Sequence, residues 1–93
     1  MGTNIIVPKI GTMYKSLHSQ EHARLIEWLK QQRQQKGLSM RDLAIRLDVP
    51  HSFIGKIEQG ERRLDVVEYL QYCDILDVSP FDGLKVINPE LSK

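Results

Sequence analysis

The sequence contains little cysteine and no long apolar run, and each shortage excludes a class of protein. Cys73 is the single cysteine, so the chain forms no intramolecular disulfide. No apolar run approaches the ~20 residues that a membrane span requires. The apolar residues Ile5 to Val7 are too few for a signal peptide and are followed by Pro8. We therefore expect a cytoplasmic protein without a membrane partner.

Length and composition indicate one small folded domain. With 93 residues, of which 41% are hydrophobic and 27% charged, the chain has the composition of an ordinary globular protein. A chain of this size buries only about 60 to 65% of its unfolded surface. Helices with local contacts, helped by dimerisation, stabilise such a chain more easily than a large sheet does.

The net charge of +1 conceals an uneven distribution of charge along the chain. Residues 1–63 hold eleven Lys or Arg against six Asp or Glu, which gives +5, whereas residues 64–93 hold two against six, which gives −4. A polyanion would dock on the positive part, although a modest imbalance is also typical of a solvated surface.

Start and stop signals predict five helices. For the five helices in chain order, the start and stop residues are Ser19 and Gly37, Ser39 and Asp48, Pro50 and Gly60, Asp65 and Asp77, and Ser79 and Asn88. Asp42 and Glu68 each follow a capping residue by three positions, which is typical of a capping box. Residues 19–93 are therefore predicted to form an all-α domain, in which Asn88 and Pro89 end the regular structure.

Residues 1–18 contain apolar residues interrupted by glycine and proline, and they predict an extended arm. The arm would pack against a partner subunit or reach DNA with Lys9 and Lys15, and a frayed terminus is the alternative.

Apolar spacing predicts which faces of the helices are buried. In the second and third helices the predicted wedge consists of Leu43, Leu47, Val49, Ile54 and Ile57. In the fourth helix the predicted apolar face consists of Val66, Val67, Leu70, Cys73 and Leu76. Cys73 is then a core residue rather than a nucleophile. Trp28, in the first helix, is either a core residue or a dimer contact.

The stretch LSMRDLAIRLDVPHSFIGKIEQGERRLDVVEYL resembles the phage-repressor and Cro class of helix-turn-helix proteins, also called Xre-type regulators. The likeness covers about residues 37–80, with the helix-turn-helix at about 39–58. It implies a five-helix, lambda-repressor-like fold. Two positions depart from the family pattern: Asp48 stands where glycine with positive φ is usual, and Pro50 stands where a hydroxyl cap is common. The third helix is thus expected to lack a side-chain cap or to begin one residue later.

The resemblance implies that the exposed N-terminal half of the third helix reads base edges. This maps onto His51, Ser52, Phe53 and Lys56. Lys56 is suited to guanine O6 or N7, and Phe53 to a thymine methyl group. Gly55, which lies between them, either permits close approach of the backbone to DNA or is a tolerated surface glycine.

Further roles follow from the same resemblance. Phosphate contacts are expected from the start of the second helix and from the segment after the third, at Ser39, Met40, Arg41, Gln59, Arg62 and Arg63. Arg33 and Glu58 are expected to form a structural ion pair that orients the recognition helix. The apolar end of the chain predicts a dimer interface at Phe81, Leu84, Val86 and Ile87.

These expectations converge on a homodimeric regulator, most simply a repressor, that binds a pseudo-palindromic site in double-stranded DNA and so associates with the nucleoid. An antitoxin-like or controller protein, with an unknown protein partner at the acidic C-terminal part, is one alternative. An adaptor without DNA binding is another. We expect no enzyme and no cofactor, since no arrangement of nucleophile, base and orienting group is visible. We also expect no metal, because the capping role of Ser19 separates His18 from the helix that carries His22.

Overall fold

The computed structural model describes residues 19–92 of the chain, with the side chain of Ser92 left aside. The elements are α1 (Gln20–Gln35), α2 (Met40–Leu47), α3 (His51–Glu58), α4 (Val66–Leu76), α5 (Pro80–Ile87) and a 3-10 turn (Pro89–Ser92). Between residues 19 and 92 there is no strand, so the all-α prediction is confirmed. None of these helices is long and apolar enough to cross a membrane. The predicted arm, residues 1–18, lies outside the described residues.

Local hydrogen bonds explain where the helices begin. Both predicted capping boxes are present: Ser39 Oγ accepts from the Asp42 N–H while Asp42 accepts from the Ser39 N–H, and Asp65 and Glu68 do the same at α4. The hydrogen bond from the Ser39 N–H is the main reason that the pKa of Asp42 is lowered. At α1, Ser19 Oγ accepts from the N–H of the third helical residue.

The turn between α2 and α3 has the left-handed backbone that the family pattern requires. Asp48 adopts φ 58° and ψ 48°, and its N–H donates to the last turn of α2. A short polar side chain tolerates this region better than most residues do. Pro50 precedes α3 without any side-chain cap, and its carbonyl accepts from the Phe53 N–H at 3.0 Å. Both departures from the family pattern are accommodated without a change of fold.

The core lies where α1 and α4 meet the helix-turn-helix. Its buried members are Leu25, Ile26, Leu29, Leu43, Ala44, Ile54, Ile57, Tyr69, Tyr72, Cys73 and Leu76. Ala44 is 2% exposed, which shows why a small residue is needed where α2 packs against its neighbours. Leu47 and Val49, the remaining members of the predicted wedge, are partly buried against this core. The two halves of the helix-turn-helix are therefore held at a fixed angle.

The predicted apolar face of α4 was wrong at its N-terminal half. Val66, Val67 and Leu70 are exposed by 72%, 64% and 48%, whereas Tyr69 and Tyr72 are buried. Glu68, Gln71 and Asp74, three positions apart, mark one side of α4 as polar, and the buried residues lie on the opposite side. Packing selects the side that buries the two large rings, each of which removes more apolar area from water than valine does.

The C-terminal part of the chain packs α5 against α1 and then continues in regular structure. A Cβ at Gly83 would lie 2.8 Å from the Trp28 ring and would overlap the Tyr69 hydroxyl, so only glycine fits there. Trp28 thus packs inside the domain, against α5. Regular structure was predicted to end at Asn88; instead, the Asn88 side chain accepts from the Glu90 N–H and starts the 3-10 turn.

Candidate nucleic-acid interface

One side of α3 faces outward. His51, Ser52 and Lys56 are exposed, while Ile54 and Ile57 are completely buried on the opposite side. At 3.6 residues per turn, the three exposed residues and Gly55 occupy one continuous arc of the helix. A Cβ added at Gly55 would meet no atom within 4 Å, so this arc is open. We call His51, Ser52, Gly55 and Lys56 the outer face of α3.

Phe53 lies at the edge of this face rather than on it. Its side chain is half-buried and packs against the core. It also lines a small groove with Leu47, Val49 and Tyr72. The Arg62 guanidinium lies 4.1 Å from the centroid of the Phe53 ring. A smaller fraction of the Phe53 side chain is therefore accessible than of the side chains of His51, Ser52 and Lys56.

Arg33 and Glu58 join α1 to the end of α3. Arg33 Nε donates to Glu58 Oε2 at 2.6 Å and a terminal nitrogen donates to Oε1 at 3.0 Å, which is bidentate geometry. The other terminal nitrogen donates to the Leu38 carbonyl at 2.8 Å, just before α2. Both side chains are less than a tenth exposed. One guanidinium thus fixes α1, the approach to α2 and the end of α3 relative to one another.

Exposed polar groups lie at the start of α2 and in the segment after α3. At the start of α2, Ser39 and Arg41 are exposed and Met40 is half-buried. After α3, Gln59 and Arg63 are exposed. Within residues 19–92, no hydrogen bond or ion pair of the Arg63 side chain is present. The N–H groups of the first turn of α2 add the partial positive charge of a helix N-terminus.

Arg62 has partners that the sequence did not reveal. Its terminal nitrogens donate to the two oxygens of Glu68 at 3.1 and 3.0 Å, and one of them also donates to the Arg63 carbonyl at 2.8 Å. This pairing is the main cause of the lowered pKa of Glu68. Arg62 lies in the loop before α4 and Glu68 lies in the first turn of α4, six positions later. Because the two residues do not share a helix, helical periodicity does not predict this pair.

The end of the chain presents an apolar surface. Phe81 is 68% exposed and Leu91 is 56% exposed, and together with Leu84 they line a groove of about 580 Å³. Val86 and Ile87 are half-buried, and Leu84 and Ile87 also pack against the core. Leu91 was not among the predicted interface residues because it lies in the turn after α5.

Groups that would support other chemistry are few in the part of the chain that the structure covers. No cluster of three or more His, Cys, Asp or Glu side chains there is arranged to hold a metal ion. Cys73 is buried, as predicted, and burial raises the pKa of its thiol.

Comparison with known proteins gives a consistent result. A family model described as a helix-turn-helix domain matches residues 25–82. An XRE-family-like protein from Pseudomonas syringae pv. tomato str. DC3000 is 31% identical, with a TM-score of 0.74 over 86% of this chain and 98% of that one. No curated protein sequence gives a significant match.

Two further solved structures are similar. The restriction-modification controller protein C.AhdI from Aeromonas hydrophila is 28% identical, with a TM-score of 0.64 over 70% of this chain and 98% of that one. The clp gene regulator ClgR from Corynebacterium glutamicum is 22% identical, with a TM-score of 0.68 over 80% of this chain and 79% of that one. At that identity the likeness to ClgR concerns the fold alone.

Proposed function

This chain belongs to the Xre-type helix-turn-helix family, and from that premise we propose that it is a transcriptional regulator that binds a pseudo-palindromic DNA site as a homodimer. The observation that carries the proposal is the outer face of α3, which is open to solvent while Ile54 and Ile57 hold its other side in the core. A helix with this exposure is shaped to enter a major groove.

The dimensions of α3 suit that role. An α-helix with its side chains is about 10 to 12 Å in diameter, which fits the ~12 Å width of the major groove, and eight residues make α3 about 12 Å long. Lys56 is the residue for guanine O6 or N7, and Ser52 and His51 supply hydroxyl and imidazole groups for other base edges. Phe53, at the edge of the face, is the candidate for a thymine methyl group. Together these four residues form the proposed base-reading set.

Phosphate contacts would fix the register of the protein on the duplex. At α2 the candidates are the Ser39 hydroxyl, the Met40 backbone N–H group and the Arg41 side chain. After α3 they are Gln59 and Arg63. These groups precede and follow α3 in the chain, so we expect phosphate contacts from both segments next to the recognition helix.

The dimer would form through the exposed end of the chain. Phe81, Leu84, Val86 and Ile87 are the proposed contacts, and Leu91 extends the same apolar surface. A two-fold axis there would place two copies of α3 in successive major grooves, about 34 Å apart. Occupation of a promoter by such a dimer would repress transcription by blocking access.

The test compares two alanine variants on a duplex first enriched from a random pool. We expect Lys56→Ala to weaken binding to that duplex by about 1 to 3 kcal/mol and to change the preferred base at one position of each half-site. Arg63→Ala should instead weaken all duplexes similarly and lower the slope of log K against log salt by about 0.9. Arg24→Ala, at an exposed position of α1, is the matched control. Identical behaviour of Lys56→Ala and Arg63→Ala would refute the division of roles.

A controller function is the second candidate, and the similarity to C.AhdI favours it. The DNA-reading residues would be the same, with a protein partner at the acidic part of the chain, residues 64–93. Transcription with purified components separates the two candidates: a repressor lowers the yield of transcript from a promoter that carries the site, whereas an activating controller raises it. Failure to bind any duplex at low salt would instead favour an adaptor.

A further inference from the structure

The segment between α3 and α4 carries two adjacent arginines with different surroundings. Arg63 is exposed, whereas the Arg62 guanidinium is held between a carboxylate and an aromatic ring. The two residues have the same charge and adjacent positions, so sequence alone assigns them the same role. Their contacts in the structure indicate that the two arginines have different roles.

The hydrogen bonds of Arg62 occupy most of the edge that would bind a phosphate. An arginine has five N–H donors, and its two terminal nitrogens form the fork that matches a carboxylate or a phosphate. Here that fork is filled by Glu68, at 3.1 and 3.0 Å, and a further donor is used by the Arg63 carbonyl. A phosphate at the same edge would have to displace a carboxylate of the same sign of charge.

Glu68 is itself fixed in place. Its Oε1 accepts from the Asp65 N–H at 3.0 Å as part of the capping box of α4. The same oxygen accepts from Arg62. The guanidinium is therefore tied to the first turn of α4, an element whose other side is anchored in the core by Tyr69 and Tyr72.

The flat surface of the guanidinium covers the ring of Phe53, the third residue of α3. The distance of 4.1 Å to the ring centroid is a cation–π contact. The backbone N–H of Arg62 also donates to the Lys56 carbonyl at 3.2 Å. Phe53 and Lys56 lie on either side of Gly55, so Arg62 restrains the rotation of the half of α3 that carries the outer face.

We propose that Arg62 is a positioning residue: held by Glu68, it clamps Phe53 and so sets the orientation in which the outer face of α3 meets base edges. In this role it governs sequence preference and does not bind phosphate, which is left to Arg63. The proposal rests on the proposed DNA-binding function.

Charge-conserving substitutions separate positioning from phosphate binding. Arg62→Lys keeps the charge but loses the bidentate fork and the flat surface. We expect it to lower the ratio of affinities for the enriched and random duplexes by about tenfold, with the salt slope unchanged. Glu68→Gln should lower this ratio of affinities by a similar factor. Because a carboxylate does not bind phosphate, that effect would act through the position of Arg62. Glu61→Gln, in the same exposed segment, removes the same charge and should leave the ratio unchanged.

A second measurement needs no DNA. In the free protein, amide hydrogen exchange of residues 54–57 should be about tenfold faster in Arg62→Lys and Glu68→Gln than in the wild type or in Glu61→Gln, because the restraint on α3 is lost. Circular dichroism verifies that each variant is folded.

The outcomes are distinct. The positioning role is overturned if Arg62→Lys keeps the affinity ratio while Glu68→Gln tightens binding more than Glu61→Gln does, since a freed arginine would then reach phosphate. Unchanged amide exchange in both variants also overturns it. A wild-type protein that binds no duplex at low salt overturns the DNA-binding function itself, whatever the exchange rates.

Discussion

Replacement of Gly55 by alanine should make the protein more stable and its DNA binding weaker. Gly55 lies inside α3 with negative φ, and an added Cβ would meet no atom within 4 Å. The substitution therefore adds helix propensity without a clash. An alanine in a helix interior is favoured over glycine by about 0.5 to 1 kcal/mol. For a domain of this size, 1 kcal/mol raises the Tm by about 4 to 8 °C.

The effect on DNA binding has the opposite sign. If the outer face of α3 lies against a groove, the added methyl group occupies space between the backbone and the bases. Insertion of a methyl group into a close-packed contact costs about 1 to 3 kcal/mol, so the affinity for the enriched duplex should fall at least about fivefold. Binding to random duplexes, which depends mainly on phosphates, should change little.

Thermal melting by circular dichroism measures the first effect, and fluorescence anisotropy with a labelled duplex at fixed salt measures the second. Gln34→Ala, at an exposed position of α1, is the control for an alanine that lies outside the proposed interface. A Gly55→Ala protein that is more stable and binds the enriched duplex with wild-type affinity would refute close approach of α3 to DNA.

Other predictions concern stability. Gly83→Ala should lower the Tm strongly, because its Cβ would overlap the Tyr69 hydroxyl and overpacking costs about 1 to 3 kcal/mol or more; an unchanged Tm would contradict the packing of α5 on α1. Arg33→Met alone should cost about 3 to 5 kcal/mol in urea unfolding, because it leaves the Glu58 carboxylate buried without its partner, and Arg33→Met combined with Glu58→Leu should recover much of that loss. Tyr72→Phe should stabilise the protein by about 1 kcal/mol, since the buried hydroxyl has no hydrogen-bond partner among the described residues; a loss of stability would indicate a partner. Burial raises the pKa of Tyr69 and Tyr72, so the folded state holds both phenolic protons more tightly than the unfolded state; the contribution of these two groups to stability should be constant below pH ~10 and be lost above it, and Tyr72→Phe should make that loss shallower in pH-dependent unfolding.

Local signals allowed much of the fold to be predicted. The capping boxes at Ser39 and Asp65 depend on residues three positions apart, so the sequence contains all the information they need. The positive φ of Asp48 was predicted because the family pattern places a left-handed residue at that turn. These features are short-range, and tertiary packing did not change them.

Features that depend on packing between elements were harder to predict. Val66 and Leu70 were placed on the apolar face of α4 and are exposed, because they lie at the border between its buried side and the polar row of Glu68, Gln71 and Asp74. The likeness to the family implied the contact between Arg33 and Glu58, but nothing implied the contact of Arg62 with Glu68 and Phe53. That contact depends on the path of the chain between α3 and α4, which no periodic pattern encodes.

Affinity cleavage would locate α3 on the duplex and so test whether its outer face enters the major groove. Cys73 is buried, so Ser52→Cys provides a single accessible thiol on the outer face of α3 for an iron–EDTA reagent. We expect two clusters of cleavage on the enriched duplex, with centres about 10 to 10.5 base pairs apart, and no such clusters from the same reagent at Gln34→Cys on α1. Equal cleavage from both positions, or none from Ser52→Cys while the duplex is bound, would show that another surface contacts DNA.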